Sequence, residues 1–486
     1  MSSTTFFPGA LRASAAACVL LLAGCAHGPD FQRPEPPAAE RYTAEKLGIE
    51  SSAATPAGDQ HVVAGAAVDP EWWKQFHSSA LDEVVRQALA GNQTLAAAVA
   101  NLAQAQDLAD AQQGRLAPQV GLTAGTGRQK YGAEFLGTSP KPPTFTYFAV
   151  GPTVSYSVDY AGVGSRSVEQ QRALAEVRQH QLEAAGLAVA GQAVLQALRI
   201  ASLRAQIATI DKLMGRDREN LKLVQEALDA GSVSRLDLVS AQSQLAADAT
   251  LLPPLRQELS AARHTLAVLV GRTPADAALP DFDLAQLTLP AALPLSVPSE
   301  LARRRPDILA AEAQLHAATA AVGVAEGNLY PHLDLSASTG QQAVAVGQLL
   351  DRGSNVFGLA ASLVAPIFDG GTLRAQKRAA VDALQSNAAH YKQTVLEAFG
   401  QVADSLQALD HGAEALRAQT TAQQAAQDTV DLTRQSYHEG NTGVLQVLDA
   451  ERRYQQARLG FVKAEAQRYA DTVQLFLALG GAVPRG

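Results

Sequence analysis

The chain has 486 residues, a formal net charge of −8 at pH 7, and 47% hydrophobic but only 5% aromatic residues. The negative charge and the lack of a basic patch with interleaved aromatic residues argue against a nucleic-acid partner. The two cysteines, Cys18 and Cys25, both lie near the N-terminus, which excludes a disulfide framework or a cysteine-based metal site. Alanine supplies much of the hydrophobic fraction, which favours long, closely packed helices.

The N-terminus has the pattern of a targeting signal. Arg12 precedes an apolar run over residues 13–22 that is too short to span a bilayer. The run ends in Leu-Ala-Gly-Cys25, which resembles a bacterial lipobox and implies cleavage before Cys25 and acylation of that residue. An ordinary secretory signal with a chance cysteine is the alternative. We predict a signal peptide over residues 1–24, and the non-acidic Ala26 implies sorting to the outer membrane.

The next segment, residues 25–75, is predicted to be a lipidated, extended arm. It is rich in proline, alanine and glutamate and has no periodicity. Trp72, Trp73 and Phe76 lie at its end. We interpret them as a small aromatic cluster that fixes the arm to the body of the protein.

After the arm, the sequence consists of two similar copies of one segment. Pro118 recurs as Pro331, and the offset of 213 residues (331 − 118) still holds at Gly340, which matches Gly127. A repeat of about 210 residues is far longer than a solenoid period, so it indicates a duplicated domain. Each copy is predicted to contain a helix, a strand pair and a long helical hairpin, over residues 76–290 and 291–486.

Each copy contains two segments in which apolar and polar residues alternate, as in a strand with one apolar face. In the second segment, Phe148, Val150 and Val154 share one face, whereas Thr153 and Ser155 share the other. A membrane-spanning strand needs about 9–11 residues, which is near the length of these segments. The predicted strands cover residues 119–127, 145–159, 332–339 and 357–367.

A long helix without proline follows each strand pair, over residues 166–230 and 374–439. Gly231 and Gly440 are predicted to cap these helices in the left-handed conformation, and a return helix follows each cap. The two helices of each copy therefore form an antiparallel hairpin.

Three further features concern the helices. The first long helix carries a heptad seam of apolar residues with one polar position, Asp217. Pro253 and Pro254 must kink or restart the first return helix, and the second return helix has no matching proline. No internal stretch reaches about 18 apolar residues, so we expect no transmembrane helix.

Four membrane strands cannot close a barrel by themselves. Unpaired backbone groups at an open sheet edge cost several kcal/mol each in hydrocarbon, and closed membrane barrels begin at about eight strands. Two, three or four copies of the chain would satisfy this requirement, and composition and spacing do not choose among these numbers.

The repeat, the segment RRRPDILAAEAQL with LYP after it, the PIFDGG turn and the VLDAERRY segment together resemble the outer membrane factor (TolC-like) family. The lipobox followed by GPDFQRPEPP is similar to its NodT-type lipoprotein branch. The resemblance implies a mostly α protein with membrane β-structure. Three chains would share a 12-stranded barrel in the outer membrane, continuous with a long periplasmic α-helical coiled-coil barrel.

The same resemblance implies an outer-membrane channel component of a tripartite efflux system, anchored by lipid and reaching into the periplasm. It would serve as a passive exit duct for drugs, metals or organic acids, and it would dock to a periplasmic membrane fusion (adaptor) protein and an inner-membrane RND-type pump. Export of proteins by a type I system is an alternative, and a lipid-anchored periplasmic scaffold is another. We expect no enzyme, no metal and no cofactor besides the lipid, because no histidine pairs with Cys, Asp or Glu at catalytic or metal-ligand spacing.

The tips of the two hairpins are the candidate docking sites for the adaptor. They hold small residues, which permit close approach of a partner helix, although tight turns alone would also explain such residues. The candidate docking residues are Gly231, Ser232, Ser234 and Leu236 at the first tip, and Gly440, Gly443 and Leu445 at the second.

The resemblance also implies a periplasmic gate. Of the two acidic residues in the family's V-D-V-L-D-A motif, Asp449 matches the second and Gln446 replaces the first, which argues against a double acidic ring. The family's clasp joins a tyrosine and an arginine to an aspartate, and Tyr437 and Asp237 match while Thr442 replaces the arginine. We predict a hydrogen bond from Tyr437 to Asp237 without an ion pair. The alternative is that Asp237 is a helix N-terminal acid favoured by the helix dipole.

Overall fold

The computed structural model describes residues 28–35, 38–39, 41–43, 60–131 and 143–481. The predicted signal peptide and Cys25 lie outside the described residues. In chain order, the elements are β1 (His61–Ala64), α1 (Ser79–Gly91), α2 (Gln93–Gly114), β2 (Gln119–Gln129), β3 (Phe145–Val158), α3 (Val163–Asp229), α4 (Arg235–Ala249), α5 (Leu252–Leu269), β4 (Ala292–Leu295), α6 (Pro298–Arg304), α7 (Pro306–Gly327), β5 (His332–Ala343), β6 (Asn355–Val364), α8 (Thr372–His438) and α9 (Val444–Ala478).

The chain forms two compact units, and each unit combines segments from both predicted copies. The first unit contains residues 1–34, 102–178 and 311–391, and the second contains residues 35–101, 179–310 and 392–486. The boundaries of the two copies at residues 76–290 and 291–486 stay a prediction.

The first unit contains the four predicted strands in one antiparallel sheet of order β2-β3-β5-β6. The predicted starts at residues 119, 145 and 332 are confirmed, and the fourth strand begins two residues earlier than predicted, at Asn355. It ends at Val364, because Pro366 cannot donate to a strand partner.

An aspartate in the connecting turn links each strand pair to its long helix. Asp159 accepts hydrogen bonds from the backbone N–H groups of Gly164 and Ser165 at the start of α3, at 2.8 and 2.7 Å. Asp369 does the same for Gly371 and Leu373 at the start of α8, at 2.8 and 2.7 Å. A carboxylate satisfies the free N–H groups of a helix start and is stabilised by its dipole, so both long helices begin by the same local device.

Part of the N-terminal arm packs against α3 and α7 within the first unit. Asp30 pairs with Arg166 at 2.6 Å, and Arg33 pairs with Glu312 at 2.8 Å. Between them, the ring of Phe31 stacks on His316 with 4.4 Å between ring centroids. Charged and aromatic contacts on successive residues therefore fix this part of the arm in register.

In the second unit, the predicted aromatic cluster is confirmed. Trp72 is fully buried and stacks on Phe476, with 5.3 Å between ring centroids, and Phe76 lies 6.2 Å from Tyr469. Within the predicted extended arm, β1 forms a short strand that pairs in parallel with β4, 231 residues later at His61 and Ala292 (292 − 61), a pairing that the sequence did not predict. A strand of four residues with a distant partner leaves no local periodicity to read.

The helical hairpins of the second unit follow the prediction. The first return helix is divided, since α4 ends at Ala249 and α5 begins at Leu252 next to the proline pair, whereas α9 runs unbroken for 35 residues. The heptad seam of α3 is buried at Ile210, Met214 and Val224. Met214 packs in an apolar cluster with Ile210 and Leu252, so it is part of the core.

The expectation of no transmembrane helix stays a prediction. By length and composition alone, Val163–Asp229 and Pro306–Gly327 are apolar enough to cross a membrane. An alanine-rich helix with few charged residues is apolar enough on average to meet this criterion, even without a run of large apolar residues. In the described structure 61% and 50% of their apolar windows are buried, and a core helix of a soluble protein meets the same criterion.

Candidate functional sites in the sheet and at the hairpin tips

The four-stranded sheet has one face of large apolar side chains. Residues that are directly opposite in adjacent antiparallel strands lie on the same face. One row across the four strands is Val120, Val154, Ala337 and Leu359. Leu122, Phe357 and Leu359 on this face are 75–80% exposed, so nothing in the described chain covers it.

The other face of the sheet carries small and polar side chains. One row consists of Gln119, Ser155, Ser336 and Ala360, and the next consists of Gly121, Thr153, Ser338 and Gly358. The alternation predicted for β3 is therefore confirmed and extends across all four strands. An apolar face opposite a face of small polar residues is the pattern of a strand between lipid and water.

The sheet has two edges without a strand partner among the described residues. β2 lies at one edge and β6 at the other. Both edge strands are exposed along their length, apart from part of the loop end of β2. Open edges of this kind pair readily with another chain.

The first hairpin tip is closed by local hydrogen bonds. Gly231 has φ of +74°, and the N–H groups of Gly231 and Ser232 donate to the carbonyls of Leu228 and Ala227, each at 2.9 Å. This is the Schellman pattern predicted for a left-handed glycine cap. Ser234 then begins α4 in a capping box with Asp237, and Leu236 stands 73% exposed beside it.

The second tip has the same turn but a weaker helix start. Gly440 has φ of +78°, and the N–H groups of Gly440 and Asn441 donate to Tyr437 and Ser436. Gly443 begins α9 and provides no side-chain cap. Leu445 is 44% exposed. The predicted docking residues thus lie at two exposed turns, and their docking role stays a prediction.

Asp449 of the candidate gate is held by its own helix. Its carboxylate pairs with Arg452 at 2.6 Å and Arg453 at 2.7 Å. The hydrogen bond from Arg452 lowers the pKa of Asp449, so the group is ionised at neutral pH. Asp449 lines a groove of about 250 Å³ with Leu445, and Ser240 and Gln244 of α4 form the opposite wall. Gln446 lies one turn before Asp449, beside Gly443.

The predicted hydrogen bond from Tyr437 to Asp237 is not formed in this chain. One carboxylate oxygen of Asp237 accepts from the backbone N–H and the hydroxyl of Ser234, at 2.8 and 2.7 Å. Tyr437 instead packs against His438. The capping box is a local contact that forms whenever the helix starts here, so it takes the carboxylate. The alternative interpretation of Asp237 as a helix N-terminal acid therefore describes this structure.

The comparison with known protein families decides what kind of protein this is. The model of the outer membrane efflux protein family matches residues 84–272 and 297–481, which covers most of the chain. The chain belongs to this family. It is an outer-membrane component of an efflux system, and its fold is that of the TolC-like outer membrane channels.

Individual relatives agree with this assignment. The pyoverdine export outer membrane protein OpmQ of Pseudomonas aeruginosa is 31% identical over 443 residues, which cover 89% of this chain and 92% of OpmQ. The toluene efflux pump outer membrane protein TtgC of Pseudomonas putida is 27% identical over 470 residues, or 96% and 95% of the two chains. The solved structure of the outer-membrane channel OprN matches with a TM-score of 0.85 at 29% identity, covering 94% and 99%.

Two groups of residues that the structure brings together were not predicted from the sequence. Asp30, Phe31 and Arg33 dock the arm, and the resemblance marked this segment without assigning any contact. Asp217, which the heptad singled out as a polar seam position, meets Asp248 from α4 and lies near Glu451 from α9. In the described parts of the chain, no three His, Cys, Asp or Glu side chains are placed to hold a metal ion.

Proposed function

We propose that three copies of this chain form one barrel of twelve strands, four from each chain, and that this barrel is a passive exit duct for small molecules. The observation that carries the proposal is the sheet with its apolar face, its face of small polar residues and its two open edges. The apolar face suits lipid, and the polar face suits a water-filled lumen.

Oligomerisation supplies what the single sheet lacks. In hydrocarbon, each unpaired backbone group of an open edge costs several kcal/mol. Pairing β2 of one chain with β6 of the next removes every edge at once when the ring closes. Three copies are the number that the TolC-like resemblance implies, and twelve strands lie within the known range of closed membrane barrels.

The names of the relatives support small-molecule cargo. OpmQ is a pyoverdine export protein and one TtgC is part of a toluene efflux pump. The polar face of this sheet offers glycine, serine and threonine with few large side chains, which leaves a wide path without a binding pocket. An inner-membrane RND-type pump would supply the energy, and an adaptor protein would dock at the hairpin tips around Gly231 and Gly440.

Lipid on Cys25 would anchor the same unit that carries the sheet. Gly28 is in place within the first unit, with φ of +99° and no room for a Cβ beside Gly323. Gly28 is the third residue after Cys25, and an extended chain over these three steps spans at most about 11 Å. The acyl chains would therefore enter the membrane close to the arm-docking contacts at Arg166 and His316.

Cysteine cross-linking in membranes tests the barrel. Leu122→Cys on β2 is combined with single cysteines at positions 357 to 363 on β6, and the expected product is a disulfide-linked trimer at alternate positions of the scan. The matched control pairs Leu122→Cys with Val150→Cys, because β3 already has both neighbours. A chain that yields no intermolecular product at any position of β6 would refute edge pairing.

Substitution at the tips tests the duct. Ser234→Trp and Gly443→Trp place bulk where the adaptor is proposed to dock, and we expect cells to retain a fluorescent pump substrate at the level of a deletion strain while the trimer still assembles. Asp276→Trp, on an exposed loop away from the tips, serves as the control. Normal export by both tip variants would contradict docking at the tips.

A further inference from the structure

A carboxyl pair lies between two helices of the first hairpin. The half-buried Asp217 on α3 lies close to the buried Asp248 in the last turn of α4. Asp248 is only 8% exposed, and the Oδ2 atom of Asp217 is buried without a hydrogen-bond partner among the described residues. Two ionised carboxylates offer each other acceptors only, so one shared proton would supply the donor that the pair lacks.

Charged groups on the neighbouring helices do not neutralise the pair. Glu451 of α9 adds a third carboxylate, and Arg434 of α8 is engaged with Glu451 at 2.5 Å. Arg216 also points to Glu451, at 3.7 Å, and Arg218 next to Asp217 acts only at longer range.

Two polar residues complete the surroundings. Gln244 donates to the second oxygen of Asp248 at 2.7 Å, and Asp449 lines the same groove as Asp217 but is paired with Arg452. Burial, then the contact with Asp248, then Glu451 raise the pKa of Asp217 to about 7. In the described structure the three carboxylates do not converge as metal ligands.

The pair lies at a break in the return helix. Pro253 and Pro254 have no N–H groups to donate to the carbonyls four residues earlier. The N–H groups of Thr250 and Leu251 donate to residues three positions back, at 3.1 Å each. Of the fifteen residues of α4, only Ala241 and Asp248 are buried. Leu245 and Ala249 pack, half-buried, against the apolar cluster of Ile210, Met214 and Leu252, so Asp248 is the buried polar side chain by which this helix contacts α3.

We propose that Asp217 and Asp248 form a proton-binding pair that fastens α4 to α3, and that loss of the shared proton releases α4 about the break at residues 250 and 251. Two negative charges would then face each other where the proton had joined them. The moving helix carries Ser240 and Gln244, which line the groove opposite Asp449. The proton site is independent of the duct, whereas its effect on the aperture rests on the proposed function.

The direction of the pH dependence follows from the raised pKa. Below the ordinary aspartate value of 3.8, the folded and unfolded chains both carry the proton. Between 3.8 and about 7, the folded pair keeps a proton that the unfolded chain has lost. The stability that the proton contributes is therefore full at low pH and is lost as the pH rises through about 7.

Hydrogen exchange of the purified full-length protein tests the proton site without channel activity. After correction for the intrinsic rate, amides of residues 235–252 should exchange faster as the pH rises from about 4 to about 7, by up to about tenfold per pH unit, and should level off above that range. Asp217→Asn supplies a permanent donor and should hold exchange at its low-pH level. Asp211→Asn, an exposed acid on the same helix, should behave as the parent. An equal pH profile in Asp217→Asn and the parent would overturn the proposal.

A second variant and a second measurement distinguish the proton site itself from its proposed effect on channel opening. Asp248→Asn should flatten the exchange profile in the same way, which guards against a fault peculiar to Asp217→Asn. In planar bilayers, the parent should open more often at about pH 8 than at about pH 6, and both variants should stay closed at both values. If exchange responds to pH but conductance does not, the proton site stands and its link to the duct is wrong. If exchange does not respond, the proton site itself is wrong.

Discussion

The two helical hairpins of this chain are copies of the same element, yet different contacts stabilise them. The first has a capping box at its tip, a proline break in its return helix and an acid pair at that break. The second starts its return helix at Gly443 without a side-chain cap, continues without interruption and joins its helices by the Arg434–Glu451 ion pair. The two copies of a duplicated hairpin can therefore differ, one with a continuous return helix and the other with a break in it.

The largest expected effect comes from replacing Phe476, near the C-terminal end of α9, by the smaller residue that the first hairpin has at the corresponding position. Phe476 is fully buried against Trp72. Towards the end of the repeat, Gly480 matches Gly271 at an offset of 209 residues (480 − 271), so Phe476 corresponds to Ala267 of the first hairpin. Phe476→Ala should lower the free energy of unfolding of the second unit by about 3–5 kcal/mol, because it leaves a cavity in the aromatic cluster. Denaturant titration measures it, and Leu350→Ala, which is 91% exposed, should change little.

The ion pair and the acid pair should respond in opposite directions. Glu451→Gln removes the charge that Arg434 neutralises and should destabilise the second unit by about 1.5–3 kcal/mol. Asp217→Asn should instead raise the melting temperature at pH values above about 7, since it removes repulsion from Asp248 and Glu451. Thermal melts of both variants at neutral and mildly alkaline pH measure the contrast. The distinction between the hairpins would be wrong if both substitutions shifted the melting temperature the same way.

The helix starts at the two tips allow a smaller, reciprocal test. Ser234→Ala removes the cap of α4 and should cost about 1 kcal/mol. Gly443→Ser should stabilise the start of α9 by a few tenths of a kcal/mol, because it completes a capping box with Gln446 three residues later. Hydrogen-exchange protection of the first amides of α4 and of α9 measures the two effects. Loss of protection at the start of α9 in Gly443→Ser would show that the serine cannot adopt the cap conformation.

The smallest effect is the acid response of the first tip. The hydrogen bonds from Ser234 lower the pKa of Asp237 below its usual value of 3.8. Its contribution to stability is therefore present above that value and is lost as the pH falls through the lowered pKa. Exchange at residues 232–238 should increase at strongly acidic pH, whereas residues 441–447 should not share the change. Asp237→Asn should abolish the difference between the two tips.

The sequence alone was sufficient for the long helices and for the four strands of the large sheet, though not for every strand end. Alternation, the proline pair and the two glycines predicted these strands, a kink or restart in the first return helix and the caps at Gly231 and Gly440, which the structure confirms. These features depend on backbone sterics and on hydrogen bonds between residues a few positions apart, so neighbouring residues determine them. The family resemblance then supplied the fold and the role in efflux, which the comparisons confirm.

Contacts between distant residues were decided only by the tertiary structure. The pairing of β1 with β4, the stacking of Phe31 on His316 and the meeting of Asp217 with Asp248 join segments with no shared pattern. Asp237 shows the converse, because a local capping box took the carboxylate that the resemblance assigned to Tyr437. Periodicity records which face of an element is buried, but the identity of the partner on that face depends on how the elements pack, and so the acid pair emerged only from the folded chain.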